Sequence, residues 1–150
     1  MIRFEDTPDE VTILMESIVK EHFPELVNAK IKVIFDTKKR SYKGRLTLGR
    51  IQATSEILKH LTIEEANSED GYDYLMYLDK VIYENVEEKD RIRLIRHELR
   101  HCETDMEAAK PYKLKDHDIN DFYAEIELNS DDPHWAEKCI EIGLSLYDEE

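Results

Sequence analysis

Two histidines four positions apart, His97 and His101, with Glu98 between them, are the residues of this chain whose types and spacing carry chemistry. On an α-helix a separation of four puts both side chains on nearly the same side, one turn apart, as two corners of a tetrahedral zinc site require. Glu98, next to the first imidazole, can reach a water bound to the metal without ligating the metal itself. Zinc lowers the pKa of that water, and the carboxylate takes its proton and later delivers it to the leaving amine. These are the mechanics of the H-E-x-x-H pattern, here His97-Glu98-Leu99-Arg100-His101. A shuffled chain of this composition contains that pattern roughly 3 times in 100, so context has to strengthen it. Ile92, Ile95, Leu99 and Cys102 step by three, four and three along one apolar face, and the histidines are offset from it. The competing reading leaves the two histidines and the glutamate as decoration on a solvent face.

A catalytic zinc site usually takes three protein ligands. Metzincin spacing would need a glycine at 104 and a histidine at 107, where this chain has Thr104 and Glu107, so that class is excluded. His117 follows His101 after 15 intervening residues and a turn around Pro111, which lets the chain double back and present a third imidazole. Asp121 is the first alternative, at a spacing close to that of thermolysin-like enzymes, which use a glutamate there. Glu125 is the second. Asp116 and Asp118 flank His117 and either hold its ring or cap the next helix, capping being the commoner role. Tyr112, Tyr123 and His134 are candidates to donate to an oxyanion, against the commoner role of aromatic residues as core. Arg96 and Arg100 are expected to pair with nearby acids.

Several elements must position these residues. Thr7-Pro8-Asp9-Glu10 reads as a helix start, with Thr7 as N-cap, Pro8 in the first helical position and Glu10 completing a capping box. Val11, Leu14, Met15, Ile18 and Phe23 give that helix its apolar stripe, and Pro24 limits it. Ile31 to Phe35 is β-branched and strand-like; Arg45 to Leu48, between Gly44 and Gly49, predicts a second strand extending to Ala53. A short helix over 55–61 would use Ile57, Leu58 and Leu61, and 62–71 reads as a solvated loop. Tyr72 to Leu78 predicts a third strand, with Tyr74, Met76 and Leu78 on one face. From Glu88 the pattern is helical through Cys102. A further helix at about 118–128 repeats Ile119, Phe122, Tyr123 and Ile126, and a last one starts at Asp132-Pro133 with Trp135, Cys139 and Ile140 inward. Tyr72, Tyr74, Tyr77 and Tyr83 read as sheet and core packing, and the acidic pairs at 64–65, 87–88 and 149–150 as solvated surface.

The chain has 150 residues, 41% hydrophobic and 37% charged, which suits one domain over 1–150 with a modest core under a charged surface. Its net charge of −14 repels phosphate backbones and anionic headgroups, so direct nucleic-acid and membrane-surface binding are disfavoured. Cys102 and Cys139 are too few for a disulfide framework. The N-terminus lacks the apolar stretch of a signal peptide, and no apolar run nears the roughly 20 residues that span a bilayer. A soluble, cytoplasmic protein is expected.

His97-Glu98-Leu99-Arg100-His101-Cys102, followed by Leu114, His117-Asp118-Ile119 and Asp121-Phe122, resembles the phage metallopeptidase family. The resemblance covers roughly 28–128 and includes a strand–loop–strand region ending near Leu78 and a short helix after it; the N-terminal and final helices lie outside. More distantly the chain is similar to SprT-like and minigluzincin-type zincins. The resemblance implies zinc on His97, His101 and His117, Glu98 as general base, and a phage or prophage protein acting inside a bacterial host. Together these readings predict an α+β, zincin-like fold: a small, mostly antiparallel sheet of about three strands against the active-site helix and flanking helices. The expected function is a zinc-dependent endopeptidase acting on a phage or host protein. A non-catalytic acidic protein that mimics DNA to occupy a host nucleic-acid-binding factor is the alternative, and hydrolysis of a non-peptide amide a third possibility. Glu98 discriminates, because a structural zinc site has no use for it.

Overall fold

Short β-branched and aromatic runs build a sheet, and amphipathic runs cover it. The structure, a computed structural model, describes residues 2–118 and 121–148. Ile119 and the acidic pair 149–150 lie outside the described residues. The first half runs β1 (Phe4–Asp6), α1 (Asp9–His22), a 3-10 turn (Pro24–Leu26), β2 (Ile31–Asp36), β3 (Ser41–Tyr42), β4 (Arg45–Leu46), β5 (Gly49–Ala53), α2 (Glu56–Leu61) and α3 (Ile63–Ala66). The second runs β6 (Tyr74–Asp79), α4 (Lys80–Asn85), α5 (Glu88–Leu99), β7 (Cys102–Thr104), β8 (Tyr112–Leu114), α6 (Tyr123–Leu128) and α7 (Trp135–Asp148).

The fold is α+β, as expected. Its main sheet has the order β1-β2-β6-β5, and β3–β4 and β7–β8 form separate two-stranded hairpins. β2 and β6 are parallel, from Ile31↔Tyr74 to Asp36↔Asp79, while β5 lies antiparallel to β6, from Gly49↔Leu78 to Ala53↔Tyr74. β1 adds an antiparallel edge strand to the three expected. Its three residues are all exposed, so no apolar alternation announced it. Tyr74, Met76 and Leu78 of β6 have no solvent exposure, and Ile95 and Leu99 of α5 are equally enclosed. Val11, Met15 and Ile18 of α1 close the same core, with α1 packed along α5.

Some expectations are corrected. Thr7 does not cap α1, which has no side-chain cap; its hydroxyl instead donates to the Val33 carbonyl at 3.2 Å. Nor does Glu10 complete a capping box. The single strand expected over 45–53 is divided: Lys43 and Gly44 take positive φ (52° and 75°) and turn Arg45–Leu46 back onto β3, whereas Gly49–Ala53 pairs with β6. Ile57 and Leu61 are 67% and 69% exposed, so the apolar side expected of this helix is only partly covered. Part of the expected loop 62–71 is the short helix α3, ended by Asn67 in the left-handed conformation. α5 stops at Leu99, because Cys102 pairs with Leu114 as the first residue of β7. α6 begins only at Tyr123. Tyr123 is 65% and Ile126 43% exposed, while Phe122 is buried.

The heart of this architecture is the contact of α5 with the sheet. Ile95→Ala is expected to lower unfolding stability by about 2–5 kcal/mol, the cost of emptying a fully enclosed aliphatic site. Denaturant unfolding monitored by circular dichroism measures it, and a change under about 0.5 kcal/mol would contradict the packing described.

Candidate metal centre

His97 stands in the last turn of α5, and His101 on the turn just beyond its end, where its N–H bonds the Glu98 carbonyl at 3.1 Å. The sequence placed both inside one helix. The tightened exit still leaves the two ring centres 5.6 Å apart. The β7–β8 hairpin returns the chain to this point. Lys115 N–H donates to the His101 carbonyl at 2.7 Å, and the Lys115 carbonyl lies 2.7 Å from His101 Nδ1. Two residues on, His117 Nε2 is 3.0 Å from His97 Nε2.

One ring nitrogen from each of His97, His101 and His117 lies within 4.8 Å of the other two. A tetrahedron with arms of about 2.0–2.1 Å has edges of roughly 3.4 Å, so this spacing suits a zinc ion. The far nitrogens fit as well. His97 Nδ1 faces Asp121 Oδ1 at 2.9 Å and His101 Nδ1 faces a carbonyl, so both rings carry the proton there and turn a bare Nε2 inward. Phe122 is 1% exposed, with its ring centre 5.3, 4.9 and 5.0 Å from those of His97, His101 and His117. It packs the three imidazoles from behind.

Glu98 is buried, and its Oε2 has no hydrogen-bond partner among the described residues. Burial raises its pKa above the usual carboxylate value, against the pull of His97, His101 and Arg50. Burial lowers His97, but the hydrogen bond to Asp121 and the charges of Glu98 and Glu125 outweigh it, so that imidazole titrates above its ordinary value. Burial, with the neighbouring His101 and His97, lowers His117. Asp121 loses solvent too, yet the hydrogen bonds from His97 and the Phe122 N–H hold it below the usual range.

A buried ion network ties this centre to α6. Arg96 Nε donates to Glu125 Oε1 at 2.7 Å, and Arg100 Nη2 and Nε donate to Oε2 at 2.8 and 3.1 Å. Arg96 also donates to Asn129 Oδ1. The pairing expected of Arg96 and Arg100 is thus found, and Glu125, the second alternative ligand, faces these two guanidiniums. Asp121, the first alternative, orients His97. Asp118 accepts from the first N–H of α6 at 3.0 Å, and Asp116 from the His117 N–H at 2.7 Å.

A cleft of about 1020 Å³ opens over the histidines, lined also by the β3–β4 hairpin, β5 and the start of α7. Of the three oxyanion candidates, His134 lines it and Tyr112 and Tyr123 do not; Tyr112 packs edge-on against Tyr74 instead. Sequence reasoning missed Arg50 and Lys115, which line the cleft, because neither belongs to a spaced motif. Phe122 read as a helical core position and as part of the Asp121-Phe122 pair in the family resemblance, without a role at the metal centre. Its place beside Asp121 was the available signal.

The His97–Asp121 pair sets a pH window for the metal-free protein. The lowered carboxyl contributes stability that is present above its ordinary value of 3.8 and lost as pH falls through its folded value. The raised imidazole contributes stability that is complete below 6.5 and lost as pH rises through its folded value. Between those limits the pair stabilises most. Asp121→Asn is expected to flatten this part of a Tm-against-pH profile and to weaken zinc binding about 10–100-fold. An unaltered profile would show that the pair does not form.

Neither a curated protein nor a solved structure matches the chain. The model of the family described as putative phage metallopeptidase matches residues 2–142. That is wider than the 28–128 suggested by the motifs, and it takes in α1 and the first part of α7. The N-terminal helix and the first part of the final one therefore fall within the family's extent. With a metal-compatible histidine cluster and a family match over nearly its whole length, the chain belongs to the phage metallopeptidase family.

Proposed function

We propose that this chain is a zinc-dependent endopeptidase, a single zincin-like domain over residues 1–150, acting in the cytoplasm of a bacterial host on a phage or host protein. The observation that carries the reading is Glu98 Oε2, a buried carboxylate oxygen without a hydrogen-bond donor among the described residues, one residue from His97 in a cluster of three imidazoles. Leaving such an atom unpaired costs about 1–3 kcal/mol or more, a cost that makes sense at a site where it receives a proton. A non-catalytic acidic binder gives this oxygen no role.

His97, His101 and His117 would hold the zinc through Nε2, with Asp121 and the Lys115 carbonyl fixing the first two rings. When bound, zinc polarises the scissile carbonyl and acidifies the attacking water. Glu98 would take a proton from the attacking water at Oε2 and return it to the leaving amine. Burial suits it to the first task, because a carboxylate whose pKa is raised takes up a proton more readily and holds it until the amine leaves. β5 has one partner in the main sheet, β6, and lines the cleft, so a substrate in extended conformation can add along its outer edge. His134 is the remaining side chain among the oxyanion candidates that faces the same space.

Purified protein is expected to carry about one zinc per chain, and His97→Ala or His101→Ala to lose it. His117→Ala should weaken retention, while Glu98→Gln should keep the metal and lose activity about 10²–10⁴-fold. Metal analysis of these variants, with hydrolysis of a quenched-fluorophore peptide library, makes the measurement. Full zinc retention in a His97/His101 double variant would reject the site.

A further inference from the structure

Residues 37–50 contain Lys38, Lys39, Arg40, Lys43, Arg45 and Arg50 and no carboxylate, in a chain whose overall charge is −14. This stretch folds as the β3–β4 hairpin and the entry to β5. Arg40, Tyr42, Arg45 and Arg50 line the cleft shared with His97, Glu98 and His101. Two of its cations are engaged: Arg40 with Asp36 at 3.3 Å, and Arg45 with Glu137 at 3.5 Å in an exposed pair. Among the described residues, Lys38, Lys39, Lys43 and Arg50 make no ion pair. Lys43 Nζ lies 5.4 Å from the centre of the Tyr42 ring, which is itself 69% exposed. Lys115, also lining the cleft, rests its Nζ 5.9 Å from the Phe122 ring centre and has no carboxylate partner among the described residues.

Among the carboxylates lining the cleft, Asp121 accepts from His97 and Glu137 pairs with Arg45, while Asp116 is exposed and accepts the His117 backbone N–H, and Glu98 is buried within the field of Arg50. An incoming chain meets the unpaired lysines of the hairpin segment and Lys115 within a screening length of about 8 Å.

We propose that the cleft selects an acidic stretch of the substrate polypeptide, whose Asp and Glu side chains pair with Arg50 and Lys115 beside the scissile bond and with Lys43 and Lys39 along the hairpin. This assignment rests on the peptidase reading above. A nucleic acid fits the same charges less well. Its phosphates extend along the whole strand, and outside this hairpin the chain is even more acidic than its total of −14, so a long polyanion is repelled where a short acidic segment is not.

The test uses the full-length Glu98→Gln protein and fluorescence anisotropy of a labelled 12-residue peptide with Glu and Asp at alternate positions. The same peptide with Gln and Asn in their place is the control. The acidic peptide is expected to bind about 10-fold more tightly at low salt, with the advantage shrinking as salt is raised. Lys43→Glu and Arg50→Glu should each weaken it about 3–10-fold without affecting the neutral peptide, and Lys43→Arg and Arg50→Lys should restore it. Equal binding of the two peptides would overturn the proposal, as would tighter binding of an oligothymidylate of the same length. The readout needs no turnover. Loss of charge preference in a protein that cleaves the library sinks this assignment alone, whereas charge preference in a wild type that cleaves nothing sinks the peptidase reading and leaves the acidic-ligand assignment standing.

Discussion

The Glu125 carboxylate has no contact with solvent and is held by two guanidiniums, Arg96 and Arg100. An isolated carboxylate in that position would cost several kcal/mol of lost hydration, so its partners must be in place whenever α6 is docked. Those partners precede His97 and His101 in the chain by one residue each. Glu125 in turn follows Asp121 by four and His117 by eight. Two runs with a period of four thus face one another: arginines and histidines along α5 and its exit turn, and a histidine and two acids from residue 117 into α6. Sliding one along the other would leave Glu125 unpaired and His97 Nδ1 without its acceptor. The costly mismatch of a buried charge is what gives the histidine cluster a single register.

The same arrangement explains what the sequence could and could not disclose. His97, Glu98 and His101 are separated by less than two helical turns, so local geometry nearly determines their relation. The return of His117 depended only on a turn and a short connection. The placement of Glu125 is different. An acid at a helical position reads equally well as ligand, cap or surface charge, and only the docking of α6 against α5 chooses among them. Cys102 shows the converse failure. It continues the apolar period of α5 without a break, yet it pairs with Leu114, because the exit turn and the β7–β8 hairpin satisfy backbone groups that a longer helix would have satisfied otherwise.

Sheet strands were legible where burial imposed alternation. Tyr74, Met76 and Leu78 face one side of β6 and are fully enclosed, whereas β1 has no buried residue and β3 and β4 have two residues each. Elements this short are selected by what they pack against. Ile57 and Leu61 make the same point for helices, because an apolar period states that a face could be buried and leaves open whether anything covers it. Total charge misleads in a related way. A value of −14 describes the average surface, while the recognition chemistry of a cleft is decided by which charges near it remain unpaired.

The cationic hairpin and the histidine cluster are fastened by separate contacts. Leu46, at the base of the hairpin, is buried against α7 beside Ile82 of α4, where a side chain on Gly143 would come within 2.8 Å of both. Only a residue without a Cβ lets α7 approach this closely. The histidines instead hang from α5, Phe122 and the Glu125 network. Hairpin residues such as Lys43 and Arg45 can therefore vary in charge without disturbing the rings, and the metal centre can keep its geometry while the opposite rim changes what it accepts. One side of the cleft is held in register by buried charges, and the other carries cations of which Lys38, Lys39, Lys43 and Arg50 make no ion pair among the described residues.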